Sequence, residues 1–332
     1  MCGGALALLS GCVLEKRDDG AEFREAVPHQ EAVVVAGPES AAEGESRSAS
    51  ITDTRRAQAS EPWARGEYAF WYGFTRHVRG GVNLVTAAVL GNVWALVHSP
   101  PSSVGDEEAV WGPYTDALEP VTYRFRVTRV AEAEYDYVLE GRPKTSEDDG
   151  DYRAILSGRG YGQSHEQHGQ GEFTVDVDVA RELDPFSGDP KDSGTLRVQH
   201  YLPADVTTGG DALPRTIIAE ARPSASEEWF TVTSNAAEDG SGTLHVDALG
   251  DVDDTKLTAL EDIVIDSQWR SDGAGRADIV LAGGDVPAGL GSVTAVECWG
   301  ADFMRSYYSD SVELSPAFGD PTACAFDSAP AK

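Results

Sequence analysis

The sequence predicts a mainly β protein: an antiparallel meander of ten or more strands, curled into a barrel or sandwich around one apolar helix. Three observations predict it. Apolar and polar residues alternate with period two in many short segments, as where Tyr123, Phe125 and Val127 alternate with Arg124, Arg126 and Thr128. Such alternation puts one face on a core and the other in water. Turn clusters such as Glu147-Asp148-Asp149-Gly150, Gly188-Asp189-Pro190 and Ser271-Asp272-Gly273-Ala274-Gly275 separate these segments at hairpin spacing. One stretch, Val82 to Val97, is apolar almost throughout and stops at Pro100-Pro101, as a helix ended by proline does.

The chain begins Met1-Cys2-Gly3-Gly4-Ala5-Leu6-Ala7-Leu8-Leu9-Ser10-Gly11-Cys12, a short apolar run closing on small residues and a cysteine. Leu9-Ser10-Gly11-Cys12 resembles the lipobox of bacterial lipoproteins. The resemblance implies that residues 1–11 are the end of a signal peptide, and that Cys12 is lipidated and becomes the acylated (palmitate-bearing) amino terminus. It further implies a membrane partner reached through the lipid. Val13 stands where retained inner-membrane lipoproteins carry Asp, which points to the outer membrane, facing the periplasm or the cell surface. Several acyl chains on one residue hold a protein stably, each buried methylene contributing about 0.8 kcal/mol. No Lys or Arg precedes Cys12, a departure from a full signal peptide that places the true start codon upstream of Met1.

Next in order, residues 12–61 read as a lipidated cysteine followed by a flexible acidic tether, since Glu15 to Glu61 is polar and without sustained periodicity. Aromatic residues then arrive together at Trp63, Tyr68, Phe70, Trp71, Tyr72 and Phe74, which opens a single β-rich domain over 62–332. The Val82 to Val97 run falls short of the roughly 20 residues that span a bilayer. Interrupted by Asn83, Gly91 and Asn92, it reads as a core helix, with a lid or membrane-contacting helix as the alternative.

Strands follow in series. After the Tyr123 segment come Asp136 to Gly141, Tyr152 to Gly158, Phe173 to Val179, Thr195 to Leu202, Thr216 to Ala221 and Trp229 to Ser234. Thr243 to Leu249, Ile263 to Trp269, Ala277 to Ala282 and Ser292 to Trp299 complete the series. No repeat of fixed period is visible. The end of the chain, from Glu297-Cys298-Trp299 to Cys324, resembles carboxy-terminal segments of uncharacterised Gram-negative lipoproteins, which implies no function.

If Cys2 leaves with the signal peptide and Cys12 is lipidated, Cys298 and Cys324 remain as a pair that an oxidising periplasm joins. Such a bridge would stabilise by about 3 to 4 kcal/mol in the loop-entropy model. Two buried free thiols are the other reading.

Charge narrows the partners. Asp and Glu number 56 against 26 Lys and Arg, a net charge of -30. Phosphate backbones need cations to replace their counterions, so nucleic acid is disfavoured as a partner. His165-Glu166-Gln167-His168 is the densest set of ligand-capable side chains, but its histidines stand three apart between Gly162 and Gly169, unlike the HExxH zinc pattern. A solvated hairpin tip explains it as well. Two acidic clusters, Asp247, Asp251, Asp253 and Asp254, then Asp184, Asp189 and Asp192, offer the hard oxygens calcium prefers. The first fails the EF-hand pattern at Lys256 and Asp262. Neither a GxSxG elbow nor a phosphate-binding glycine loop is present, and Gly240-Ser241-Gly242 reads as a turn. Trp71, Trp111, Trp229, Trp269 and Trp299 read first as core and turn anchors, and second as sugar-stacking platforms. No catalytic, cofactor or metal residue is nominated. The expected function is a non-catalytic binding or structural module of the cell envelope. A carrier of apolar molecules or lipids in a β-barrel cavity, and an envelope-polymer hydrolase, stand as alternatives.

Overall fold

A computed structural model of the chain describes residues 20–38, 69–161, 169–186, 192–203, 215–252, 259–313 and 316–330. Among the described residues fifteen strands, β1 to β15, form one sheet in which every strand pairs with its neighbours in sequence. The first and last are Ser103–Val104 (β1) and Phe318–Gly319 (β15). All pairings are antiparallel. The meander is as the alternation predicts, but the expected barrel or sandwich is not formed: the sheet is a single open one, with β1 and β15 as its two edges.

Alternation sets the two faces. In β11 (Glu261–Trp269), Ile263, Ile265, Ser267 and Trp269 are buried, while Asp262, Val264, Asp266 and Gln268 turn outward. The inner face is crowded enough that indoles lie over glycines. A Cβ on Gly275 of β12 (Gly275–Gly283) would sit 2.4 Å from the Trp299 ring, and one on Gly242 of β10 (Gly242–Gly250) 2.6 Å from the Trp269 ring. Each indole N–H donates to the turn carbonyl two residues before that glycine, Trp269 to Gly240 and Trp299 to Gly273, both at 2.9 Å. These turn glycines have φ of +83° and +89°, a region that favours glycine.

Helix α1 (Ala21–Arg24) and a 3-10 turn (Gln30–Val33) lie in the segment read from sequence as tether. Residues 20–37 are instead packed: Phe23, Val27, Val33 and Val35 are fully buried. Their apolar residues have no period of their own because they fill gaps along another helix. Helix α2 (Phe70–Val97) is that partner, and it starts twelve residues before the expected Val82. Asn83 bonds both the N–H and the C=O of Val35, Trp94 donates to the Pro28 carbonyl, and Arg24 Nε donates to the Val97 carbonyl at 2.7 Å. At 28 residues α2 is long and apolar enough to cross a membrane by length and composition, against the shorter run read from sequence.

Why α2 starts early is a matter of capping. Its N-cap, Ala69, offers no side-chain acceptor. Glu297 of β13 (Ser292–Trp299) supplies one across the fold, accepting from the backbone N–H of Phe70 at 2.9 Å and of Trp71 at 2.6 Å. Arg305, also buried, donates to Glu297 at 2.9 Å. A third helix, α3 (Val177–Leu183), corrects the expected strand to Val179: β6 (Gly169–Asp176) ends at Asp176, whose carboxylate accepts from the Val179 N–H and turns the chain into a helix.

Candidate functional site

With the inner face packed, the concavities of interest lie on the outer face, where one register row crosses most of the sheet. It runs Thr128, Asp136, Arg159, Glu172, Gln199, Ile218, Thr233, His245, Asp266 and Asp278, one residue from each of ten consecutive strands. Alternation supplies the polar side chains, and the pleat aligns them.

The first recess, of about 460 Å³, lies over the near half of this row and is lined by Arg126, Asp136, Ser157, Arg159, Glu172 and Thr174 among others. Its cations are matched. Arg159 grips Asp136 through two nitrogens, the Nη2–Oδ2 contact being 2.8 Å, and its Nη1 meets Glu134 at 3.1 Å. The hydrogen bonds to Asp136 raise the Arg159 pKa above its ordinary value. Arg197 donates to Glu172 and holds its carboxyl below the usual range, with Gln199 adding a bond at 3.1 Å. Arg124 and Arg126 both reach Glu140 at 3.0 Å. Charge-matched in this way, the recess offers hydrogen-bonding edges rather than an anion trap.

The second recess, of about 320 Å³, is lined by Thr233, Asn235, Thr243, His245, Asp266 and Pro330. His245 Nδ1 lies 2.7 Å from Asp266 Oδ1. The contact orients the His245 ring through Nδ1. Thr233 is the register partner of His245 on the other side. Beside them, Thr216 donates to Asn235 at 2.8 Å, and Asn235 donates to Thr243 at 3.3 Å.

Of the residues singled out from sequence, Cys298 and Cys324 are joined, with Cα atoms 5.3 Å apart. Cys12, His165, Glu166, Gln167, His168, Asp189, Asp253 and Asp254 lie outside the described residues. Asp184 accepts from the Phe186 N–H, and the Asp192 carbonyl accepts from Arg181. Asp247 faces outward on β10, and Asp251 has a buried carboxylate oxygen without a hydrogen-bond partner. Among the described residues no three His, Cys, Asp or Glu side chains gather as a metal site. Trp71, Trp111, Trp269 and Trp299 are buried anchors, and Trp229 is half-buried under Arg222.

Sequence reading missed the His245–Asp266 pair, the Arg159 cluster and Glu297. The signal is faint: each is an ordinary outward or inward position in its own strand, and only the register makes partners of residues 21 or 23 apart. Comparison with known protein families, with characterised proteins and with solved structures finds no match, so the reading of the site rests on its geometry.

Proposed function

We propose that the chain is an outer-membrane lipoprotein, anchored through Cys12, that serves as a non-catalytic binding module of the cell envelope with the outer face of the sheet as its ligand surface. The observation that carries the binding reading is the division of labour between faces. Hydrogen-bonding groups line both outer recesses, whereas the inner side holds Phe23, Val33, Leu90, Val127 and Ile265, each fully buried. That filled interior favours a surface binder over a carrier of apolar molecules. The lipobox resemblance supports the anchor.

Helix α2 lies against one face of the open sheet, with eight of its 28 residues buried. A helix of 28 residues is about 42 Å long, and the ten steps from β3 (Val121–Ala131) to β13 cover about 48 Å at ~4.8 Å each. One end of α2 is bonded to β13 through Glu297, and α2 also contacts β2 (Glu108–Tyr114) and β3. A helix of matching length bonded near one edge and touching the other lies across the strands and covers the inner face between them.

Expression of the full chain in a Gram-negative host with labelled palmitate tests the anchor: label enters the wild type and is lost in Cys12→Ala. Co-sedimentation of the unlipidated Cys12→Ala chain with isolated cell envelopes tests the surface, free of the anchor. Arg159→Ala with His245→Ala is expected to weaken it at least fivefold at unchanged melting temperature. Acylation of Cys12→Ala, or envelope binding by the double variant at wild-type strength, overturns the proposal.

A further inference from the structure

The carboxy-terminal segment 325–330 lies crosswise on the outer face, along a second register row formed by Cys298, Arg276, Gln268, Thr243 and Asn235. Cys324 is bonded to Cys298 at the start of this row. From there Arg270 donates to the Ala325 carbonyl, Arg276 Nη1 to those of Phe326 and Asp327 at 3.3 and 3.0 Å, and Gln268 to that of Ser328. Arg270 also sits over the Phe326 ring, 5.4 Å from its centroid. Arg276 is aimed by Asp278, which takes two of its nitrogens at 2.7 Å each. Pro330, at the end of the segment, forms a wall of the recess that holds His245 and Asp266.

We propose that residues 325–330 are a strap that narrows the His245–Asp266 recess, clipped in place by the Cys298–Cys324 bond and released when that bond is reduced. The strap is held by three side chains reading backbone carbonyls on a solvent-facing surface, where water competes for the same acceptors. A covalent link next to Ala325 keeps its local concentration high, and losing the link shifts the balance toward water. The accessible sulfur is that of Cys324, since Cys298 is fully buried while Cys324 is only partly so. A thiolate of a small dithiol attacks Cys324 Sγ. The S–S bond breaks, its electron pair leaves on Cys298 Sγ, and that sulfur takes a proton. The reagent's second thiol then displaces Cys324 as a thiol and closes the oxidised reagent as a ring.

This regulation rests on the outer face being the binding surface, so its test is independent of any ligand. The full chain is compared before and after dithiothreitol, with peptide mass spectrometry confirming free thiols at Cys298 and Cys324. Chymotryptic cleavage after Phe326 is timed against cleavage after Phe186, which is 92% exposed and serves as the internal reference. Diethyl pyrocarbonate labelling of His245 is followed by peptide mass. Reduction is expected to speed cleavage after Phe326 at least tenfold and labelling of His245 about threefold. Cys324→Ser should reproduce both without reductant and with an unchanged far-ultraviolet spectrum. Unchanged cleavage in fully reduced protein, or faster cleavage with His245 no more reactive, overturns the strap. If both rise while envelope binding stays the same, the strap stands and the outer-face reading of function falls.

Discussion

His200, on β7 (Thr195–Leu202), is 3% exposed, and among the described residues neither ring nitrogen has a hydrogen-bond partner. Burial pushes its pKa down from 6.5 to about 4. The folded state therefore keeps the ring neutral over a range where the unfolded chain binds a proton. Stability from this source is complete above about pH 6.5 and is lost as pH falls from there toward 4, reaching about 3 kcal/mol. Urea unfolding of wild type and His200→Leu at pH 7.5 and 4.5 should show the wild type losing about 2 to 3 kcal/mol more than the variant on acidification. Parallel losses would rule out His200 as the sensor. Glu297 presents the opposite case, a buried carboxylate given Arg305 and backbone N–H donors. Neither residue stands out in the sequence, because His200 reads as one more position in an alternating strand and the backbone N–H groups that Glu297 caps lie 225 to 227 residues away.

At the scale of elements, strands were legible because period two survives in a one-dimensional string. Limits of helices were not. Helix α2 begins where a distant carboxylate meets its N–H groups, and α3 begins where Asp176 folds back on Val179 inside an alternating run. The two tryptophan-over-glycine hairpins were equally hidden, although Gly240-Ser241-Gly242 reads plainly as a turn: what Gly242 accommodates is the indole of the next strand. Gly275→Ala would force a methyl to 2.4 Å from the Trp299 ring. We expect a loss on the order of 1 to 3 kcal/mol, seen as a lower urea midpoint together with a shifted tryptophan emission. A variant with wild-type stability would mean that the indole moves aside freely.

For the whole molecule, the class and the antiparallel meander were predictable from alternation and turns, but closure was not, since nothing in a strand's own pattern states whether the first and last strands meet. The buried 20–37 segment escaped for a related reason: its apolar residues answer to α2, not to each other. Net charge acts at this scale too. At -30, self-repulsion opposes the compact state, and screening shortens from about 30 Å to about 8 Å between 0.01 M and 0.15 M salt. Melting temperature should accordingly rise by several degrees over that range, as read by calorimetry. A flat or falling profile would show that the paired outer-face ions outweigh the repulsion.

Neighbour-only pairing has one more consequence. Because among the described residues no strand inserts between two others, two strands and their connecting turn can be added or removed at one place in the chain without rethreading the rest. The indole-and-glycine packing at Gly242 and Gly275 recurs two strands apart, so each two-stranded arm carries its own lock between turn and ring.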